Sequence, residues 1–549
     1  MRNLLIASGI SLLTTAAACS EAPDVLKDPP VLKVTSPKRS TIQDGAGLVQ
    51  VTGMVTPNEL SAEPIEKVLV NGVQATLNAD GTFSAMIEAN EGATLIHTTA
   101  RDAAGKIAED TRAMHAGQLR AVGSNVENAI TAAMSKTAFE KLSAAAGPMI
   151  ENLDMGAMLA PMQPMVHMGD ENGPDCLYAR MWVNDVNMSN ADISIVPTNA
   201  GLAFRAQIDG LDIPARAAYA VACADGSNTL AIKAQRVVVT GTLVVTPSGT
   251  AGFKTTLANE EVEITGLDIQ ASGLPGDIID LLRLDTAAGY IISKAAPMAM
   301  EPMMNQALGG LSGPQSMEVL GKTITMEVDP TAIDINSDGA LITLDTKVMI
   351  AGAESSPGYI FTDNGLPTMS PGRGMQIGLA DDLANQMMAQ VTALNVLNLG
   401  MPAHGGTFDN TNIAMSLPPM ISADPADGKM KVILGDMIAT FTDHGTPVAR
   451  AAINAAIDLK VVPANNGYGV AIQLGEPTAY TTVLDDIANA TRLTNEDLGI
   501  ATSACLTAQV ESISKLLVGI PMPAVAGVQM RNVSIGSDDG YVVLEGEID

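Results

Sequence analysis

Residues 334–345 have the oxygen-rich spacing of a calcium-binding loop. Asp334, Asn336 and Asp338 occupy its first, third and fifth positions, a glycine follows at the sixth, and Asp345 stands at the twelfth. Carboxylate and amide oxygens at this spacing can surround Ca²⁺. The flanking segments have the pattern of strands rather than helices, however, and an aspartate at the twelfth position reaches less far than the usual glutamate. The pattern therefore favours a hairpin turn, with a weak calcium site as the alternative.

A cysteine near the amino terminus has the clearest covalent chemistry. An apolar run from Leu4 to Ala18 follows Arg2, and small residues immediately precede Cys19. The run has the length of a secretory signal and is too short to span a bilayer. Small residues followed by a thiol that accepts a diacylglyceryl group are typical of bacterial lipoproteins, and an ordinary signal peptide with an accidental cysteine is the alternative. We expect a lipid anchor on Cys19; Ser20 after it favours the outer membrane of a bacterial cell envelope, on its periplasmic or its surface face.

The other three cysteines allow one disulfide. Export permits disulfide formation, and Cys176 and Cys223 flank one strand-rich segment. We predict that these two residues pair and that Cys505 is a small buried residue on a helix.

No group of residues is spaced for catalysis. The segment Gly321-Lys322-Thr323 lacks the first glycine of a phosphate-binding loop and precedes a strand. The five histidines show no metal-ligand spacing, and no nucleophile elbow occurs. The neighbouring carboxylates Asp381 and Asp382 stand at the start of a predicted helix, where negative charge is favourable. We predict that the protein is not an enzyme and needs no cofactor.

The composition is acidic and rich in methionine. The chain has 60 Asp and Glu against 30 Lys and Arg, a net charge of −30, which disfavours nucleic acid as a partner. Its 31 methionines suit an interior that accepts variable apolar guests. The alternative is that methionine replaces leucine and phenylalanine in ordinary cores.

Short alternating strands dominate residues 31–115. Turn signals occur at Asn71-Gly72 and Asp80-Gly81, as expected for hairpins in a β-sandwich. The segment resembles the bacterial Ig-like repeats of exported proteins, which are usually spacers.

The rest of the chain alternates long helices with antiparallel strands. Apolar spacing predicts helices at 118–146, 276–308, 379–399 and 495–518, and strands lie between them. The absence of a strand–helix–strand rhythm indicates an α+β fold.

Two segments resemble the bactericidal/permeability-increasing protein family. Residues 377–399, IGLADDLANQMMAQVTALNVLNL, resemble the segment that opens the family's second barrel, and Gly519 to Pro523 resemble its closing turn before a final hairpin. Cys176 and Cys223 fall where the family's first barrel has a disulfide. The resemblance implies the tubular lipid-binding (TULIP) fold, in which two elongated barrels wrap curved sheets around long helices and hold lipid in an apolar pocket.

The resemblance also implies a domain organisation and a set of pocket residues. The expected organisation is a signal peptide at 1–18, a tether at 19–30, the Ig-like sandwich at 31–115, a first barrel at 117–312, and a central sheet with a second barrel at 313–549. The candidate lipid-binding residues are Ile130, Met134, Phe139, Ile279, Leu282, Met387, Met388, Val391 and Leu394. Plain core packing is the alternative for each of them.

One departure from the family concerns charge. Members that bind lipopolysaccharide present a basic first barrel to its phosphates, whereas residues 117–310 carry 20 acidic and 11 basic residues here. We therefore expect an apolar or zwitterionic partner, such as a phospholipid or a neutral acyl lipid, held by a membrane-anchored lipid-binding or lipid-transfer protein. The alternative is a structural or adhesion lipoprotein whose barrels are filled by their own side chains.

Overall fold

The structure, a computed structural model, describes most of the chain from residue 29 onwards. The described residues are 29–59, 62–152, 154–171, 173, 177–249, 252–283, 286, 289–290, 313–319, 322–362, 365–372, 374–395, 399–402, 408–422, 430–463, 470–487, 494–516, 530–538 and 540–548. Most of them lie in antiparallel sheets, with a few helices packed against those sheets, so the fold is a mixed α+β one dominated by sheet.

The first nine strands form a β-sandwich. Their bounds are β1 Val31–Ser36, β2 Thr41–Gln43, β3 Gly47–Thr56, β4 Ile65–Val70, β5 Val73–Gln74, β6 Thr76–Leu77, β7 Thr82–Ala89, β8 Gly92–Asp102 and β9 Ile107–Ala116. One sheet has the order β1-β3-β7-β6 and the other β2-β9-β8-β4-β5. Alternate residues point inward and form a dry core that includes Val51, Ile96 and Met114. Asn71 and Gly72 both have positive φ between β4 and β5, as the predicted hairpin requires.

The segment after the sandwich differs from its prediction. Strands β10 (Gln118–Arg120) and β11 (Val126–Ser135) precede helices α1 (Lys136–Glu151) and α2 (Met155–Leu159), so the helix predicted at 118–146 is wrong over its first half. Helix α1 continues through Gly147 and approaches the next layer closely there, since a Cβ on this residue would lie 2.3 Å from the carbonyl oxygen of Ala191.

A second sheet contains the longest strands of the chain. Its elements are β12 Val166–Gly169, β13 Tyr178–Val183, β14 Asn190–Thr198, β15 Gly201–Val221, β16 Ala224–Pro247, β17 Phe253–Thr265 and β18 Asp268–Gln270, followed by helix α3 Gly276–Leu282. The order is β12-β13-β15-β16-β17, with β14 pairing the other half of β15 and β18 pairing β16. Helix α1 packs on β14, and α3 packs on β12 and β13. We call this layer the first curled sheet.

The remaining elements build a central sheet and a third layer. They are β19 Gly313–Val319, β20 Lys322–Asn336, β21 Gly339–Ile350, β22 Tyr359–Phe361, β23 Met375–Ala380, α4 Asp381–Ala393, β24 Leu399–Pro402, β25 Asn410–Ala414, β26 Met420–Ser422, β27 Met430–Asp443, β28 Thr446–Pro463, β29 Val470–Asp486, α5 Asn495–Leu516, β30 Met530–Asp538 and β31 Tyr541–Ile548. The central sheet has the order β19-β20-β21-β11-β23-β31-β30, and β10 pairs with β22. Strands β24 to β29 form the second curled sheet, and α5 packs on β29. Among the described helices, none combines the length and apolar character needed to cross a bilayer.

The sandwich docks directly on the second curled sheet. Asp436 of β27 is fully buried and accepts hydrogen bonds from Arg39 Nη1 at 2.9 Å and from the N–H groups of Ser40 at 2.7 Å and Ala113 at 3.2 Å. Its own N–H donates to Asn454 Oδ1 at 2.7 Å. A buried carboxylate is tolerated when it is paired and hydrogen-bonded in this way. The sandwich is therefore attached to the body along a specific interface.

Two glutamines of α4 complete the hydrogen bonding of β21. Strand β11 begins opposite Thr346, so β21 has no strand neighbour on that side beyond this point. Gln386 Oε1 accepts the N–H of Val348 at 2.8 Å, and Gln390 accepts the N–H of Ile350 at 2.8 Å and donates to Val348 O at 2.7 Å. Both glutamines are fully buried, and their amides replace the missing strand.

We expect Gln390→Ala to lower the free energy of unfolding by about 2–4 kcal/mol, because it leaves a buried N–H and a buried carbonyl without partners. Urea unfolding of the variant measures this loss. Gln235→Ala, at an exposed position of β16, is the control and should change the same quantity by less than about 0.5 kcal/mol. An equally small change in both variants would show that the amide contacts of α4 are unimportant.

Candidate apolar site

The first curled sheet has one polar face and one apolar face. Along β15 the buried positions include Leu202, Phe204, Leu211 and Ile213, and Arg205 between them is exposed. Successive side chains alternate between the two faces within each half of β15, and Gly210, with a φ of +64°, lies where the alternation changes phase. The four apolar residues belong to the same core as Phe139 of α1 and Leu282 of α3. They continue without a break into the core between this sheet and the central sheet.

Four of the nine predicted pocket residues lie in this core. Phe139 is on α1 and Leu282 on α3, both buried, whereas Ile130 and Met134 are on strand β11 instead of the predicted helix. Ile279 is on α3 but is 38% exposed and lies outside the core. The structure therefore brings Ile130, Met134, Phe139 and Leu282 together and leaves Ile279 at the surface.

The predicted residues of α4 lie elsewhere. Met387, Val391 and Leu394 pack on a small cluster under the end of β21, and Met388 is only partly buried. Helix α4 contacts the central sheet and β26, while the apolar interior of the second curled sheet packs on α5 through Leu498 and Leu506. The most buried face of α4 is polar and bonds to strand edges. A lipid-binding role for its four candidate residues stays a prediction.

A line of apolar side chains that was not predicted lies at the edge of the first curled sheet. Leu257 and Val262 of β17 face inward opposite Leu243 and Val239, and Ile264 and Ile269 continue the same line. All four of these residues are half-buried, although they pack against the main core. The signal is present in the sequence, since Glu261 and Glu263 alternate with them on the outer face. We call Leu257, Val262, Ile264 and Ile269 the apolar strip.

The calcium candidates do not converge. Asp334, Asn336 and Asp338 lie at the β20–β21 hairpin, where Asn336 Oδ1 accepts the N–H of Asp338 at 2.8 Å. Asp345 lies farther along β21, opposite Asp329, and its Oδ1 accepts the N–H of Asn128 at 2.9 Å. Burial raises the pKa of Asp345, with smaller contributions from neighbouring carboxylates.

Asp345 has a structural role in this arrangement. Asn128 has a φ of +54° in a bulge of β11, and the carboxylate of Asp345 binds its N–H. The residues with calcium-loop spacing therefore serve two separate structures: the first three lie at the β20–β21 turn, and Asp345 binds the bulge of β11.

An exposed carboxylate–imidazole cluster lies at the β27–β28 hairpin. Oxygen and nitrogen atoms of Asp409, Asp443 and His444 lie within 4.8 Å of one another, and His444 Nδ1 is 2.7 Å from Asp443 Oδ1. His444 is 90% exposed, and the hydrogen bonds within the cluster account for its geometry. We assign it no metal.

The predicted covalent sites fall largely outside the described residues. Cys19 and Cys176 are not described, and neither is the side chain of Cys505. Cys223 lies in the β15–β16 turn and is disulfide-bonded. Its pairing with Cys176 stays a prediction, as does lipidation of Cys19.

Comparisons with known proteins give one family match and several distant structural ones. Residues 30–118, which include the sandwich, match the family described as glucodextranase, domain B. No curated protein matches the chain. Lipopolysaccharide binding protein is 12% identical over 77% of this chain and 99% of its own, with a TM-score of 0.39. P47 from Clostridium botulinum A2 is 10% identical over 77% of this chain and 98% of its own, with a TM-score of 0.27. The fibronectin(III)-like modules of CbhA from Clostridium thermocellum are 21% identical over 16% of this chain and 100% of theirs, with a TM-score of 0.13. Likenesses this distant assign no function.

Proposed function

We propose that the protein binds the acyl chains of lipids along the apolar face of the first curled sheet. The observation that carries this proposal is the apolar strip, a line of half-buried aliphatic side chains joined to the main core. Such a strip can receive a flexible apolar chain without unfolding the sheet. The side chains under it are aliphatic, and hydrocarbon is the class of ligand they suit.

The energetics of such binding favour exchange over permanent capture. Each methylene of an acyl chain gains about 0.8 kcal/mol when it leaves water, whether it enters a bilayer or a protein groove. Transfer between the two is therefore close to thermoneutral, and its rate is governed by how fast the apolar strip becomes accessible to the chain. A protein of this kind can move lipids without a chemical step.

The charge of the protein restricts the headgroup. With 20 acidic against 11 basic residues over 117–310, the first curled sheet repels phosphate-rich lipids. Phospholipids with zwitterionic headgroups and neutral acyl lipids fit best.

We further propose that the chain is a bacterial cell-envelope lipoprotein of the TULIP type. In this proposal Cys19 carries the anchor, the two curled sheets are the two barrels at 117–312 and 313–549, and the partners are lipid and membrane. The family with the sandwich match takes its name from an enzyme, but the match is confined to residues 30–118. The absence of enzymatic activity stays a prediction.

One observation favours the second candidate, a structural lipoprotein with filled barrels. On β16 the inner residues Ile232, Val237 and Leu243 are fully buried, so the middle of the first curled sheet is already packed. In that case the apolar strip would be only the margin of an ordinary core.

Lipid extraction and native mass spectrometry on the purified full-length protein separate these candidates. We expect acyl lipid at a defined stoichiometry in the wild type and about tenfold less in Val262→Trp, because overfilling an apolar site costs about 1–3 kcal/mol. Glu263→Trp places the same ring on the outer face of β17 and should retain the wild-type lipid content.

Each alternative outcome has a distinct meaning. Absence of lipid from the wild type would favour the structural candidate. Equal losses in both tryptophan variants would place the bound lipid away from the apolar strip.

A further inference from the structure

His115 lies on the face of the sandwich that covers the second curled sheet. It is on β9, beside Ala93 of β8 and Ile42 of β2. Met114, the preceding residue, points into the sandwich core, so His115 points outward. Thr111 and Ala113 share the outward face with it.

This outward face is in direct contact with the second curled sheet. The N–H of Thr111 donates to Thr482 Oγ1 at 3.2 Å, and its carbonyl accepts from Asn454 Nδ2 at 2.9 Å. A Cβ on Gly435 would lie 2.7 Å from the Cβ of Ala113, so no larger residue fits there without displacement. We call this contact the sandwich interface.

The imidazole of His115 is buried without a hydrogen-bond partner. The residue is 1% exposed, and neither ring nitrogen has a partner among the described residues. Burial lowers the pKa of His115 from 6.5 to about 4, with no contribution from a charged neighbour. A charged imidazolium at this place would lose its hydration with nothing to replace it.

The charged groups of the sandwich interface are already engaged with one another. Arg39 binds Asp436 and Asp110, and Arg112 binds Asp110 as well. On the same outward face, His97 bonds to Thr111 Oγ1 and lies 4.0 Å from Glu109. These groups form pairs of their own, so none of the described ones is positioned to stabilise a protonated His115.

We propose that His115 makes the docking of the sandwich sensitive to acid, so that protonation of its imidazole releases the sandwich from the second curled sheet. This device is independent of lipid binding. In the released state the imidazole is exposed to water and can take up a proton freely, whereas in the docked state it must remain neutral. Acid therefore favours the released state.

The size of the effect follows from proton linkage. A group with a pKa of about 4 when docked and 6.5 when released leaves docking unaffected above about pH 7. As the pH falls below 6.5, the released state binds more protons than the docked one, and docking weakens until the pH reaches about 4. At about pH 5 the equilibrium shifts towards release about 30-fold relative to about pH 7.5.

Hydrogen exchange at amides that bond across the sandwich interface measures this equilibrium even when release is rare. The N–H groups of Ser40, Thr111 and Ala113 donate to side chains of the second curled sheet. Their exchange rates at about pH 5 and pH 7.5, each divided by the intrinsic rate at that pH, give the opening constant. We expect it to be about 30-fold larger at the lower pH in the full-length protein.

Variants at two histidines isolate the cause. His115→Phe should lose most of the pH dependence, and His115→Gln, which is closer in polarity, should do the same if the phenylalanine does not fit. His97→Gln replaces a histidine on the same face and should respond to acid like the wild type. The proposal is overturned if the wild-type opening constant is unchanged between the two pH values, or if it changes equally in the wild type and in a folded His115 variant.

Discussion

Replacing Asp436 by alanine is expected to lower the free energy of unfolding by about 3–5 kcal/mol, because the change removes one partner of a buried ion pair. The Arg39 guanidinium would keep only its contacts with Asp110 and with the carbonyl of Thr111. The N–H groups of Ser40 and Ala113 would lose their acceptor. Urea unfolding at neutral pH measures the loss, and the same interface amides should exchange faster.

Two further variants make this result interpretable. Asp436 has a φ of +44° in a β-bulge, a conformation that asparagine tolerates better than alanine. Asp436→Asn therefore separates the loss of charge from backbone strain and should retain part of the stability. Asp485→Ala breaks an exposed ion pair with Arg450 and should cost less than about 1 kcal/mol. A loss as small as this in Asp436→Ala would show that the sandwich interface contributes little.

We expect Asp382 to make the free energy of unfolding strongly dependent on pH. This carboxyl is 2% exposed at the start of α4, and burial, followed by repulsion from Asp381, raises its pKa to about 8. Between pH 3.8 and about 8 the folded protein holds a proton that the unfolded chain has released. The contribution of this bound proton to the stability of the fold is therefore complete below pH 3.8. It decreases above that pH and is lost as the pH rises through about 8.

Asp382→Asn tests this assignment. The asparagine can accept the N–H of Thr362 as the carboxyl does, but it cannot ionise. From about pH 5 to pH 8, the stability of the variant relative to wild type should rise by about 4 kcal/mol in urea unfolding. The exposed Asp268→Asn should show no such rise. A constant difference between wild type and Asp382→Asn would mean that Asp382 is ionised throughout this range.

The sequence predicted the sandwich and the terminal helix well because their signals are local. Asn71-Gly72 sets a hairpin by backbone conformation alone, and the apolar spacing of 495–518 matches α5, Asn495–Leu516. Neither signal depends on residues far along the chain.

Strand β11 was mistaken for a helix because it is buried on both faces. Ala132, Ala133 and Met134 are consecutive and all buried, so the alternation that marks a strand is absent. The spacing of Val126 and Ile130 then fits a helix by coincidence. Only the neighbouring strands β21 and β23, which come much later in the chain, determine its conformation.

The packing of α4 was not predictable from the sequence for a similar reason. Helix α4 has methionines at helical spacing, which is typical of an apolar face, but its most buried residues are Gln386 and Gln390. Their burial depends on unpaired backbone groups of β21, which no local pattern reveals. The part of the apolar strip on β17 was predictable, because Val262 and Ile264 alternate with Glu261 and Glu263.

The order of strands in the central sheet has a consequence for how the chain is made. Tyr541 Oη donates to the carbonyl of Asn128 at 3.0 Å, across 413 positions of sequence. Strand β23 gains its second neighbour only when β31 arrives. Contacts this distant close slowly, and the edge of β23 remains open to other chains in the meantime. We expect the sandwich to fold early and the assembly of the central sheet to be the slow step of maturation, because this sheet cannot be completed before β30 and β31 are made.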